Sequence, residues 1–240
     1  MYRGSRRNLE VETEKVYDNY LFDLYGTLID IRTDEYDAKT WKTWLKYLNT
    51  QNIAHPRYRK CRRDFYRLEK KYIEEAKSKG DFKCPEIDYC DIYRDMFATY
   101  GNKDLSDELI LKAAYAFREA SRSYMKLFPG VKEFLSALKN NGKKIYILSN
   151  AQASFTWPEI HNFGLEKMMD DIFLSSEYHC MKPDVLFYQS LLDKYEMDKE
   201  KTVMIGDSFE NDYQGGIAAG IAAIHLSGEN AANRFYLNRI

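Results

Sequence analysis

Polar residues capable of phosphoryl or metal chemistry fall at four stations along the chain: Asp23 with Thr27, Ser149 with Asn150, Lys182, and Asp207 with Asp212. Three of the stations close short apolar runs, with Leu21-Phe22 before Asp23, Ile147-Leu148 before Ser149 and Met204-Ile205 before Gly206-Asp207; Lys182 opens the helix after a fourth run. An ionised carboxylate at the end of a buried run is costly unless it is paired or holds a metal. Taken singly, each station has a plain structural explanation. Asp23 can cap a turn for which Gly26 supplies a positive φ, Ser149-Asn150 can be a turn or cap, Lys182 a solvated lysine, and Asp207 a helix cap. Taken together they describe a carboxylate nucleophile, a metal site and two means of neutralising a phosphoryl group.

Convergence of such stations requires strand ends lying side by side. Apolar runs at 20–22, 144–148, 172–174, 202–205 and 221–226 alternate with amphipathic segments at 131–140, 155–162 and 182–195. Strand and helix in alternation imply crossover connections and a parallel sheet covered on both faces. In such sheets ligands sit beyond the carboxyl ends of the strands. The expected fold class is therefore α/β, a doubly wound, Rossmann-like parallel sheet. Between 33 and 125 the texture changes to helices, predicted at 34–49, 56–79, 87–100 and 106–125, the last with Ser106 as N-cap. This divides the chain into a core domain, 16–32 and 126–240, an inserted helical domain, 33–125, and a flexible N-terminal segment, 1–15.

The aromatic residues of the insert, such as Phe65, Tyr93, Phe97 and Phe117, have the spacing of helix cores, with a ligand pocket as the weaker reading. The run of Arg and Lys from Arg57 to Lys79 reads as a solvated face, with attraction of an anionic substrate as the weaker reading.

With 36 basic and 37 acidic residues the formal net charge is −1, and nothing in it calls for nucleic acid or a membrane surface. No apolar stretch approaches the roughly 20 residues of a membrane span, and residues 1–8 lack the apolar core of a signal peptide; a cytoplasmic protein is expected. Cys61, Cys84, Cys90 and Cys180 lack paired metal-ligand spacing and are expected as free thiols. Oligomeric state cannot be read.

The motifs Phe22-Asp23-x-x-Gly26-Thr27-Leu28, Leu148-Ser149-Asn150, Lys182-Pro183 and Gly206-Asp207-x-x-x-x-Asp212 occur in an order that resembles the haloacid dehalogenase-like hydrolase superfamily. The resemblance covers the core from about Asp18 to Ser227 and implies that the helical insert is a cap over the substrate. It implies that Asp23 attacks phosphorus, that Mg²⁺ is held by Asp23, the Tyr25 carbonyl and Asp207 with Asp212 in support, and that Thr27, Ser149 and the Asn150 backbone bind phosphoryl oxygens. Gly26 and the Tyr25 side chain fall beside the substrate, and Lys182 offsets the crowded negative charge. The implied substrate is a small anionic, phosphorylated metabolite.

One residue departs from the pattern. Phosphatases of the superfamily carry a second Asp two residues after the nucleophile, as general acid; here that position is Tyr25. Its dehalogenases also have Tyr there, but they lack the Gly-Asp-x-x-x-x-Asp motif that this chain keeps. A Mg²⁺-dependent phosphatase is the favoured expectation, a 2-haloacid dehalogenase the alternative, and a catalytically degenerate binding protein the third.

Overall fold

The computed structural model describes residues 17–226; the flexible segment expected at 1–15 lies outside them. A parallel sheet is formed by β1 (Asn19–Phe22), β4 (Lys144–Ser149), β5 (Asp171–Leu174), β6 (Thr202–Gly206) and β7 (Ala222–His225), in the order β5-β4-β1-β6-β7. The chain leaves β1 toward one edge and later returns to pair β6 on its other side. The strand order therefore reverses between β1 and β6, where open sheets of this kind form their crevice.

The sheet's two faces are covered separately. Phe22, Ile145, Ile147, Val203 and Ile205 pack on one side with α5 (Val131–Asn140) and Ile160 of α6 (Ala153–Phe163). Leu21, Tyr146, Leu148 and Met204 pack on the other with Phe187, Tyr188 and Leu191 of α8 (Val185–Lys194). Burial on both faces is why the strands read as continuous apolar runs rather than as alternation. A one-turn helix, α7 (Ser175–Tyr178), follows β5, and a π-helical turn (Phe209–Gln214) leads into α9 (Gly215–Ala218) after β6.

Between the first strand and the rest of the sheet lie α1 (Ala38–Thr50), α2 (Tyr58–Lys79), α3 (Tyr89–Thr99) and α4 (Asp107–Ser121). They enclose a core of their own around Trp41, Trp44, Phe65, Tyr93, Phe97 and Phe117. Trp44 ties α1 to α4 by donating from its indole to the Ala113 carbonyl at 2.8 Å. The basic residues of α2 lie almost entirely on its exposed side, the solvated reading of that run.

Two features differ from the sequence reading. The helix expected to reach 125 ends at Ser121, and β3 (Arg122–Leu127) pairs antiparallel with β2 (Ile29–Thr33). Arg-Ser-Tyr-Met-Lys-Leu has no strong strand preference of its own; its partner in the fold decides its conformation. This ribbon carries the chain out to the helices and back. In addition, the segment between α2 and α3 docks on the sheet unit: the N–H groups of Lys83 and Cys84 donate to Asp184 Oδ2 at 2.6 and 3.1 Å, and Gln152 exchanges hydrogen bonds with Tyr89 N–H and the Ile87 carbonyl.

Candidate active site

Strand register assembles the site. Phe22 is level with Ile147 of β4 and Ile205 of β6, so the residues that follow, Asp23, Leu148-Ser149 and Gly206-Asp207, come side by side at the carboxyl ends of the three strands. Asp23 is buried, and its Oδ1 accepts from the Ser149 hydroxyl at 3.2 Å and from Lys182 Nζ at 2.8 Å. The same ammonium donates to Asp212 Oδ1 at 2.6 Å. Burial works against the charge of Lys182, but Asp23 and Asp212 outweigh it and hold the group above its ordinary lysine range. Burial raises the Asp212 carboxyl against the pull of Lys182. Lys182 is thus a buried charge bridge rather than the solvated lysine that its sequence context alone allowed.

Asn150 holds the Lys182 backbone at both ends of its amide, donating to the Lys182 carbonyl at 2.8 Å and accepting from its N–H at 2.7 Å. Asp212 Oδ2 accepts from Ser208 N–H at 2.9 Å, so both of its oxygens have protein donors. One carboxylate oxygen from each of Asp23, Asp207 and Asp212 can be chosen so that all lie within 4.8 Å of one another. A hard, all-oxygen donor set of this kind fits Mg²⁺, which binds through one or two carboxylates and keeps several waters.

Two glycines make this crowding possible. Gly26 has φ +82°, and a Cβ there would fall 2.3 Å from Asp207 Oδ2; a Cβ at Gly206 would fall 2.1 Å from Asp212 Oδ2. Gly26 and Thr27 abut Asp207 and are not among the residues that line the small cavity at the cluster. The Thr27 hydroxyl accepts from Asp207 N–H at 3.1 Å and donates to Asp207 Oδ1 at 3.3 Å, and so fixes Asp207. The cavity of about 170 Å³ is lined by Asp23, Tyr25, Ser149, Asn150, Lys182, Asp207 and Asp212 together with Ser208 and Asn211. Sequence reasoning passed over those last two, although they lie inside the Asp207–Asp212 interval.

The Tyr25 side chain turns toward α6. Its phenol donates to Glu159, and Thr156 Oγ1 lies 3.1 Å away. Glu159 is fully buried and is also bound by Arg118 Nε at 3.0 Å and Arg122 at 3.2 Å. The Arg118 guanidinium stands 4.9 Å from the Tyr25 ring centroid and 4.7 Å from that of Phe155. Burial, and after it the Glu159 charge, pushes the Tyr25 phenol far above its ordinary range. No spacing rule announces this network, because a buried Glu and a solvated Glu look alike in a helical pattern.

A second cavity, of about 330 Å³, lies between the helices and the sheet unit and shares Tyr25 and Asn150 with the first.

A family model described as haloacid dehalogenase-like hydrolase matches residues 17–220. The pyrimidine 5'-nucleotidase PynA of Streptococcus pneumoniae is 27% identical over 226 residues, covering 92% of this chain and 90% of that protein. A glyceraldehyde 3-phosphate phosphatase of Methanothermobacter thermautotrophicus is 25% identical over 121 residues, covering 50% of this chain and 54% of that one, so the match spans about half the length of that relative. Among solved structures, a 2-haloacid dehalogenase from Pseudomonas syringae pv. Tomato DC3000 matches with a TM-score of 0.60 at 18% identity, covering 88% of this chain and 86% of that one, which is a likeness of fold.

Proposed function

The chain belongs to the haloacid dehalogenase-like hydrolases, and from that premise we propose that it is a Mg²⁺-dependent phosphatase acting on a small phosphorylated metabolite through an aspartyl-phosphate on Asp23. The helical stretch 33–125 serves as its cap. The reading rests above all on the meeting of Asp23, Asp207 and Asp212 at one cavity, with Gly26 and Gly206 leaving room for the carboxylates. Displacement of halide requires no such cluster.

Asp23, Asp207 and the Tyr25 backbone carbonyl would hold the ion, with Asp212 in support; when bound, it neutralises charge on the phosphoryl oxygens. A carboxylate oxygen of Asp23 forms the bond to phosphorus as the bond to the ester oxygen breaks. Water then cleaves the aspartyl-phosphate, so that ester and water become alcohol and inorganic phosphate. Lys182 offsets negative charge at the attacking carboxylate, and Ser149 orients that carboxylate and faces the phosphoryl group. Tyr25 supplies no proton, because its phenol is held by Glu159. The leaving oxygen therefore departs with help only from solvent.

Aryl and acyl phosphates, whose leaving groups need no proton, are expected to react about 10²-fold or more faster than alkyl phosphates, the ordinary worth of a general acid. Steady-state rates with and without chelator check both parts of the proposal. The dehalogenase reading is favoured by Tyr25 alone; it predicts turnover of 2-haloacids that chelator leaves intact. Equal rates across leaving groups would place a proton donor in the site after all.

A further inference from the structure

The cavity beside the nucleophile has an unusual lining for a site that receives a phosphate ester. From α2 come Phe65, Tyr66 and Glu69; from the segment docked on the sheet unit comes Glu86, and from the start of α3 Tyr89; from α6 comes Phe155. The side of α2 that faces the cavity is aromatic and acidic, while its lysines and arginines, apart from the half-buried Arg62 that donates to the Tyr36 carbonyl, face solvent. Any attraction exerted on the leaving group here is thus opposite in sign to that of the helix's outer face.

The two carboxylates are hydrogen-bonded, and three lysines, Lys77, Lys83 and Lys182, line an adjoining cavity with them rather than this one. Glu69 Oε1 accepts from the Tyr89 hydroxyl at 2.7 Å, and Glu86 accepts from the Ser175 hydroxyl and from Ile87 N–H, each at 2.9 Å. Among the described residues neither forms an ion pair. Arg118, which also lines the cavity, is bound to Glu159 and lies 3.7 Å from Glu35. Burial raises the Glu86 carboxyl, and the charge of Glu69 adds to the rise. Both carboxylates are half-buried, where a cation offsets the cost of partial desolvation, and aromatic faces attract one, most strongly when it is desolvated.

We propose that this cavity receives the leaving group of the substrate and that this group is an organic cation, making the substrate the phosphate monoester of an amino or quaternary-ammonium alcohol. Its phosphoryl group would lie at Asp23 and its ammonium between the aromatic rings and the Glu69 and Glu86 carboxylates. Tyr25 and Asn150, common to both cavities, mark the passage between them. The proposal rests on the phosphatase reading for the position of the phosphate.

The test compares phosphocholine and phosphoethanolamine with 3,3-dimethylbutyl phosphate, the uncharged shape mimic of phosphocholine, and with uridine monophosphate, all in Mg²⁺. At least one ammonium ester is expected to exceed the neutral mimic in kcat/KM by about tenfold or more. In the Glu69→Gln/Glu86→Gln double variant that ratio is expected to fall about tenfold; leaving-group acidity is the same for wild type and variant, so the change reports the carboxylates. A neutral mimic or nucleotide hydrolysed as well as the ammonium esters overturns the proposal, the nucleotide result pointing to a nucleoside pocket. Acetyl phosphate turned over while both ammonium esters are refused also overturns it but leaves the phosphatase standing. If no phosphate compound is turned over, the phosphatase reading fails. Titration calorimetry of choline and ethanolamine with the intact protein then decides the cation site separately, saturable binding supporting it and absence of binding refuting it.

Discussion

Tyr25 occupies the position where a proton donor would be expected, and its surroundings remove it from that role. Its hydroxyl proton is committed to Glu159, a carboxylate that already binds Arg118 and Arg122. Tyr25→Phe therefore loses a neutral-to-charged hydrogen bond but no proton transfer. It is expected to cost about 1.5–3 kcal/mol of stability while leaving turnover within about threefold. Glu159→Ala leaves two guanidinium groups without their buried partner and is expected to cost about 3–5 kcal/mol. Urea denaturation and steady-state kinetics on both variants check this. A large loss of turnover in Tyr25→Phe at preserved stability would make the phenol a participant. The role of Tyr25 could not be read from its position, since Glu159 lies more than a hundred residues away and nothing in its helix marks it as buried. Lys182 shows the same limit in another form: its place before Pro183 is visible in the sequence, but its ammonium is a bridge between two carboxylates only because β1 and β6 are neighbours.

The elements that carry the site were more legible than the contacts within it. Apolar runs ending in polar residues marked β1, β4 and β6, and parallel pairing in register makes their ends converge. What the runs could not reveal was the ribbon of β2 and β3, whose second strand has the composition of a helix end, or the docking of the segment between α2 and α3 on Asp184. Both depend on partners distant in the chain. The turn after β1 also does more than its residues suggested. Gly26 admits the Asp207 side chain, and Thr27 holds Asp207 by its backbone and carboxylate, so this turn and the end of β6 form one acidic corner. Gly26→Ala is expected to displace Asp207 and to weaken apparent Mg²⁺ affinity about tenfold or more. It also forces a side-chain-bearing residue into a left-handed conformation at about 1–2 kcal/mol. Magnesium titrations of binding and of activity read the effect; an unchanged requirement would detach Asp207 from the metal.

At the scale of the whole molecule, two separately packed units meet beside Asp23. The sheet unit supplies Asp23, Lys182 and the acidic corner, the helices supply most of the aromatic wall of the larger cavity, and Arg118, Gln152 and Asp184 tie the two together. Among the described residues no helix is long and apolar enough to cross a membrane. This division explains which parts of the function were readable in advance. The residues proposed for the reaction lie at strand ends that punctuate the sequence, whereas those proposed to select the leaving group lie on helix faces whose orientation only packing determines. The proposed reaction depends on a phosphoryl group passing through Asp23. The direct measurement is acid quenching of the enzyme during turnover of acetyl phosphate in Mg²⁺, followed by peptide mass spectrometry. One phosphoryl unit on the peptide bearing Asp23, absent in Asp23→Asn and absent in chelator, is the predicted result. Turnover with that peptide unmodified throughout, or a phosphoryl group on another residue, would contradict it.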